Sequence, residues 1–225
     1  MADQEDYIDF DEKEEPAQKQ QEVVKAGTFA TMHTTSFKDF LLREELQKRI
    51  QSFGFEHPSE VQQQCLPNSL LGLDVLCQAK AGMGKTAVFI LTVLNRMLEG
   101  NIKGERCCLV LAHTRELAFQ ISKEFTSFSE GLGYKIVLLI GGEDMNKQIE
   151  ELKNKPHIMI GTPGRVLGLI RRKKLDLENV QAFIIDECDK MLSAAGKFPL
   201  VLITNSHLIK CFMKFRKKFH DVYSS

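Results

Sequence analysis

Ala79-Lys80-Ala81-Gly82-Met83-Gly84-Lys85-Thr86 lies between the short apolar run Val75-Leu76-Cys77 and a stretch that reads as a helix from about Lys85. A strand, a glycine-containing turn and a helix start, in that order, aim backbone N–H groups and the positive end of a helix at one point. That arrangement suits a phosphate. Lys85 is placed to reach the β- and γ-phosphates of a nucleotide, and the Thr86 hydroxyl to hold Mg²⁺. The general pattern G-x-x-x-x-G-K-[S/T] has Ala79 at its first glycine, so this P-loop is a variant. An ordinary βα turn with an incidental lysine is the plainer reading, but the strand before and the helix after favour nucleotide binding.

Outward from this loop, Leu109-Val110-Leu111-Ala112, Ile136-Val137-Leu138-Leu139-Ile140, Ile158-Met159-Ile160 and Ala182-Phe183-Ile184-Ile185 are apolar at consecutive positions. Such runs fit strands covered on both faces, and the segments between them are long enough for right-handed helical crossovers. The expected fold class is α/β: a single P-loop domain with a parallel sheet sandwiched by helices. Binding loops in such sheets gather beyond the carboxyl ends of the strands. Upstream, Phe40, Leu41, Leu42, Leu46, Ile50 and Phe53 recur at helical spacing and stop at Gly54.

The chain has 225 residues, 30 Lys+Arg against 30 Asp+Glu, and 43% hydrophobic residues. That is one sizeable domain, with no bulk positive charge to grip nucleic acid, so phosphate binding has to be local. Six cysteines include no C-x-x-C pair, and most sit in apolar runs such as Cys107-Cys108-Leu109, which fits buried thiols in a reducing compartment. No apolar run approaches the roughly 20 residues a bilayer needs, so a soluble intracellular protein without membrane contact is expected. Residues 1–35 are acidic and Gln-rich near the start and read as a disordered tail; Tyr7-Ile8-Asp9-Phe10 also reads as a short partner-binding segment. Residues 36–195 carry the domain. Residues 196–225 are a divergent basic and aromatic end, in which Leu200-Val201-Leu202-Ile203 can add one more strand or belong to an unrelated end of a truncated product.

A second chemical signal is Ile184-Ile185-Asp186-Glu187-Cys188-Asp189, carboxylates directly after an apolar strand. Asp186 can hold Mg²⁺ and Glu187 can orient and polarise an attacking water. Carboxylates also simply stabilise a helix N-terminus, so the string gains weight from the P-loop on another strand.

Together these motifs resemble the DEAD-box RNA helicases, here with the variant string D-E-C-D, over about residues 37–192. Gly54-Phe55-Glu56-His57-Pro58-Ser59-Glu60-Val61-Gln62 looks like the adenine-reading motif of that family. The resemblance implies that the Gln62 amide pairs with the adenine edge, that Phe37 packs on the base and that Phe55 lies in the same site. A Gln amide offers one donor and one acceptor face, matching adenine; Ser59 and Gln62 also form a capping box by spacing, and both roles are compatible. Thr114-Arg115-Glu116-Leu117-Ala118, Gly141-Gly142 and Thr162-Pro163-Gly164-Arg165 resemble the RNA-backbone contacts. By that resemblance Thr114, Arg115, Gly141, Gly142, Thr162, Gly164 and Arg165 bind RNA, with Thr114 and Thr162 as helix caps.

The resemblance further implies a RecA-like domain, ATP and Mg²⁺ as cofactors, nucleotide contacts from Ala79 through Thr86, and Lys85 and Glu187 as catalytic residues. His57-Pro58-Ser59-Glu60-Val61-Gln62, Ala79-Lys80, His113-Thr114-Arg115 and D-E-C-D look like the spliceosome and mRNA-export subgroup. That subgroup implies a nuclear location, pre-mRNA and mRNA as targets, and export adaptors of the THO/TREX type as partners. The Ser-Ala-Thr string of the family does not follow D-E-C-D, and no second RecA-like domain follows either. An arginine from such a domain contributes about 10³ to 10⁵ in rate, so slow hydrolysis and no unwinding are expected of this chain alone unless the second domain arrives in trans. Two other readings stand beside this one: a non-catalytic truncated regulator that competes for RNA or partners, and a P-loop ATPase or kinase of another family, which leaves Gln62 and the three RNA strings without a role.

Overall fold

A strand that is apolar at every position needs cover on both faces, because its side chains alternate between them. The computed structural model, which describes residues 36–192 and 200–205, supplies that cover. The elements in chain order are α1 (Glu44–Ser52), α2 (Glu60–Leu70), β1 (Val75–Gln78), α3 (Lys85–Leu98), β2 (Cys108–Ala112), α4 (Arg115–Phe128) and β3 (Ile136–Leu139). They continue with α5 (Met145–Lys153), β4 (Ile158–Gly161), α6 (Pro163–Arg171), β5 (Ala182–Asp186), α7 (Cys188–Leu192) and β6 (Leu200–Asn205). The sequence expectations for residues 1–35 and for the basic and aromatic stretch beyond residue 205 lie outside the described residues.

The alternation divides the core in two. Cys108, Val110 and Ala112 of β2 join Ile158 and Ile160 of β4 and Ile184 of β5 in one buried cluster, with Val88 and Phe89 of α3 and Ile121 and Phe125 of α4. Leu109 and Leu111 of β2 join Met159, Phe183 and Ile185 in the other, with Leu152 of α5 and Val166 and Leu169 of α6. The sheet is therefore sandwiched by helices, as its sequence requires. Helix α3 is buried without a break from Val88 to Leu94, the mark of a helix enclosed on several sides. Upstream, the amphipathic helix is shorter than its apolar spacing suggests: Phe37–Asp39 form a 3-10 turn, and α1 starts only at Glu44. It ends as expected, with Gly54 at φ +73° and the Phe55 N–H donating to Ile50 O at 3.2 Å.

The six strands lie in the order β1-β6-β5-β2-β4-β3. Strands β5, β2, β4 and β3 pair in parallel, as a RecA-like domain requires. Strand β6 differs from the all-parallel expectation, because it pairs antiparallel with both β1 and β5. It begins at the end of the sheet where β5 finishes, with Leu202 opposite Ile185 and Asn205 opposite Ala182. The 200–203 run is thus a strand of the main sheet, which extends past residue 195.

Five described cysteines carry free thiols. Burial pushes the Cys77 thiol up to about 12 and Cys107 up to about 11, so both stay protonated and act as small apolar groups. No helix among the described residues is long and apolar enough to cross a membrane.

Gly161 is a packing constraint in this sheet. A Cβ there would lie 2.5 Å from the Leu139 carbonyl oxygen and 3.0 Å from Val166 Cγ2. Backbone cannot step aside cheaply, so Gly161→Val should destabilise the chain by about 1–3 kcal/mol and lower the midpoint of thermal unfolding by several degrees. An unchanged midpoint by circular dichroism would show that the β3–β4 contact has room to spare.

Candidate nucleotide and nucleic-acid site

Three backbone features build the loop after β1. Gly84 caps α3 at φ +75°, a conformation that favours glycine, and a Cβ at this position would collide with the Gln62 amide. Lys85 is only 8% exposed, and its ammonium donates to the carbonyls of Ala79 and Lys80, 2.7 Å to each. The Met83 carbonyl accepts from Ser59 Oγ at 2.8 Å. The loop is thereby tied to the start of α2. Gln62 completes the tie: Oε1 accepts from the Ser59 N–H at 2.9 Å, and Nε2 donates to the Gly84 carbonyl at 3.2 Å. The capping box foreseen from the sequence is present, and the same amide touches the turn that opens α3.

An open cavity of about 540 Å³ lies over this loop. Gly82, Gly84, Lys85 and Thr86 line it from one side and Asp186 and Glu187 from another. The loops after β1 and β5 thus converge, although β6 separates their strands. Gln62, Phe55 and Ala81 also line the cavity. Phe37 does not: it is 6% exposed, packs on Phe40 with ring centroids 6.2 Å apart, and lines an adjoining cleft that meets the first at Phe55. Ala79, Lys80 and Met83 are likewise absent from the cavity wall, and act here through their carbonyls.

The sequence reading missed the opposite wall. Leu117, Gln120, Glu124, Ser127 and Phe128 of α4 face the cavity, together with Phe53. Their spacing of three and four residues marks one helix face, a signal the sequence contains without saying what the face looks upon.

Three carboxylates, those of Glu124, Asp186 and Glu187, share this cavity with the ammonium of Lys85. Asp186 is 4% exposed. Burial, reinforced by the negative charge of Glu187, pushes its carboxyl up to about 6, while the Glu187 N–H and Lys85 pull the other way. Burial also raises Glu124, offset in part by the Gln120 amide. Glu187 has a left-handed backbone at φ +51°, an unusual state for a residue with a Cβ and one that clusters at functional sites. Its Oε2 lies 2.8 Å from His113 Nδ1 and 2.9 Å from Lys190 Nζ. Among the described residues no group of three or more His, Cys, Asp or Glu is arranged to hold a metal. The donor set nevertheless fits Mg²⁺, which takes one or two protein oxygens and fills the rest of its shell with phosphate and water, and surplus negative charge at a buried carboxylate favours a cation.

A second cavity, of about 620 Å³, is lined by Thr114, Arg115, Gly141, Thr162, Gly164 and Arg165, together with His113, Glu116, Met145 and Pro163. The three strings that the sequence places far apart meet here. Thr114 caps α4, its Oγ1 accepting from the Leu117 N–H at 3.1 Å. Thr162 occupies the cap position of α6 without making a side-chain cap bond, and Pro163 takes the first helical position; here proline fixes the entry and the threonine hydroxyl is not needed for it. Gly142 is outside the cavity wall but lies under Arg115, where any Cβ would collide with the guanidinium. Arg165 is held by Gln148 Oε1 at 2.8 Å and by the Glu143 carbonyl at 2.7 Å.

A parallel sheet with a glycine-containing loop opening a helix after one strand and paired carboxylates after another defines a protein of RecA-like fold. Residues 59–214 match the model of the DEAD/DEAH box helicase family, and the chain belongs to that family. It is 50% identical over 204 residues to human ATP-dependent RNA helicase DDX39A, covering 85% of this chain and 47% of the relative. ATP-dependent RNA helicase WM6 of Drosophila melanogaster is 49% identical over 200 residues with the same coverage, and ATP-dependent RNA helicase sub2 of Aspergillus fumigatus is 52% identical over 177 residues, 77% of this chain and 39% of that protein. The chain spans about half the length, or less, of these relatives.

The raised Asp186 carboxyl has a consequence for stability. Its folded value of about 6 lies above its ordinary 3.8, so between about pH 4 and 6 the folded chain binds the proton more tightly than the unfolded one. Stability from this group is therefore greatest at low pH, falls as pH rises through that window, and is flat above it. Asp186→Asn should stabilise the ligand-free chain near pH 7.5 by on the order of 2–3 kcal/mol, an advantage that vanishes near pH 4. Urea unfolding at the two pH values checks this; equal gains at both would show that charge is not the cause.

Proposed function

We propose that this chain is the ATP- and RNA-binding first domain of an ATP-dependent RNA helicase. The observation that carries the reading is the convergence of the Lys85 loop and the Asp186–Glu187 carboxylates on one cavity, with a second cavity collecting the three ribose–phosphate strings.

In this reading the triphosphate lies over Gly82 and Gly84 at the N-terminus of α3, where backbone N–H groups and the helix dipole favour negative charge. The Lys85 ammonium exchanges the carbonyls of Ala79 and Lys80 for phosphate oxygens. The base lies near Phe55, where the two clefts meet, within reach of Gln62 and of the cleft that Phe37 lines. Thr86 and Asp186 hold Mg²⁺, which when bound neutralises charge on the phosphates and polarises them. Glu187 orients the attacking water and accepts its proton. Thr114, Arg115, Gly141, Gly142, Thr162, Gly164 and Arg165 hold RNA by its phosphates and 2′-hydroxyls, which positions a strand without reading its sequence.

Unwinding requires a second body that moves against this one, and the described residues build one sheet. We propose that the chain binds both ligands but unwinds RNA only when a second RecA-like domain supplies the missing arginine contacts. The similarity to helicases of the splicing and mRNA-export subgroup supports a nuclear location, pre-mRNA and mRNA as targets, and adaptor partners of the THO/TREX type.

Equilibrium binding of a fluorescent ATP analogue with Mg²⁺ tests the reading. Lys85→Ala should weaken binding at least about tenfold, the loss of one charge-assisted contact to phosphate. Gln62→Ala should abolish the preference for ATP over GTP. Equal affinities for wild type and Lys85→Ala would overturn the nucleotide site, and an intact ATP preference in Gln62→Ala would overturn the adenine assignment.

A further inference from the structure

One side-chain contact joins the two cavities. His113 follows β2 directly, precedes the Thr114 cap of α4, and lines the cavity that collects the ribose–phosphate strings. Its Nδ1 lies 2.8 Å from Oε2 of Glu187, which lines the other cavity. The contact is close but not in line: Nδ1 is shut off from solvent and has no aligned hydrogen-bond partner. Turning the Glu187 carboxylate aligns the pair, since an imidazole N–H donates to either carboxylate oxygen.

That same Oε2 accepts from Lys190 Nζ at 2.9 Å. Two nitrogens on different segments therefore lie against one oxygen, only that of Lys190 in hydrogen-bond geometry, at a residue whose backbone is left-handed. Adjacency of two sites does not couple them; coupling needs an element with two arrangements that each ligand favours unequally. The Glu187 carboxylate, hydrogen-bonded to Lys190 as it stands or turned into line with His113, offers such an element.

We propose that His113 is a positioning residue: it sets the orientation of the Glu187 carboxylate and carries occupancy of the ribose–phosphate cavity to the nucleotide cavity. The proposal rests on the reading of these cavities as RNA and nucleotide sites. A ribose–phosphate backbone drawn to the N-terminus of α4 acts on Thr114 and Arg115, the two residues that follow His113, so the imidazole moves with them. The link runs through Nδ1, which fixes what can replace it. Asn carries its amide nitrogen near the Nδ1 position, whereas Gln carries it one bond further out.

The test measures the affinity of the full chain for a fluorescent ATP analogue with and without a saturating unstructured oligouridine RNA. The ratio of the two affinities is the readout, because a change in either ligand's own binding cancels in it. Wild type should bind the analogue at least about fivefold more tightly with RNA present, the lower edge of ordinary coupling. His113→Ala and His113→Gln should bring the ratio close to one, and His113→Asn should restore it, with circular dichroism confirming that each variant is folded. If His113→Ala does not fold, the Asn and Gln pair decides, and a structural role alone would not separate those two. A ratio unchanged in His113→Gln, or a wild-type ratio of one while both ligands bind, overturns the proposal and leaves the function intact. Failure of wild type to bind either ligand overturns the function, and this proposal with it.

Discussion

A buried carboxylate and a buried ammonium at the carboxyl edge of one sheet set the terms for the rest of the molecule. Asp186 ends β5 and Lys85 begins α3, and both are largely shut off from water. Each alone would be costly to bury; together they relieve one another only in part, because Glu187 and Glu124 add negative charge to the same cavity. The carboxyl remains raised in consequence, and the lysine turns to the carbonyls of its own loop. Such an edge is under-neutralised as it stands. In the proposed function, phosphate takes the ammonium from those carbonyls and a divalent cation takes the carboxylate, so the ligand completes an electrostatic arrangement that the chain alone leaves open.

The neighbouring cavity follows a different logic. Of its two arginines, Arg165 is already held by Gln148 and Glu143, while the exposed Arg115 lies over the Gly141–Gly142 backbone. In the proposed function a guanidinium held in this way has less side-chain freedom to lose when it meets a phosphate. The His113–Glu187 contact lies between the two, joining the second cavity to a residue with left-handed backbone.

Much of this was legible in the residues. Five strands could be read because each begins as an apolar run; β2, β4 and β5 are buried at every position as that pattern demands, whereas β1 buries Val75 and Cys77 and leaves Leu76 exposed, and β3 fully buries only alternate residues. The P-loop and the carboxylate string could be read because each sits at a strand end. Other features depend on what only three dimensions bring together. Gln120 and Glu124 are ordinary polar residues of an amphipathic helix until α4 is laid across the cavity over the Lys85 loop. Phe37, Phe53 and Phe55 are three aromatics near one turn, and sequence spacing does not tell that Phe37 enters the core against Phe40 while the other two face the cavity. His113 belonged to a quoted string, but its contact lies across a parallel strand pair in which Ala112 stands beside Asp186. Register placed it next to Glu187; periodicity along one segment carries no such information.

Strand β6 shows why the site tolerates an irregular sheet. It runs against its neighbours, yet pairs fully with both: Val75 and Ile184 each stand opposite Ile203, whose side chain is 4% exposed and packs in the same cluster. Neighbouring strands lie about 4.8 Å apart whether parallel or antiparallel, so one intervening strand of either direction sets β1 and β5 about 10 Å apart. The Lys85 loop and the carboxylates each follow from one of those two strands. Their separation depends on the number of strands between them and on the apolar filling of that slot, not on strand polarity. Backbone pairing on both sides is sufficient to hold the two loops at that spacing, and residues 200–205 supply it over four positions with each neighbour.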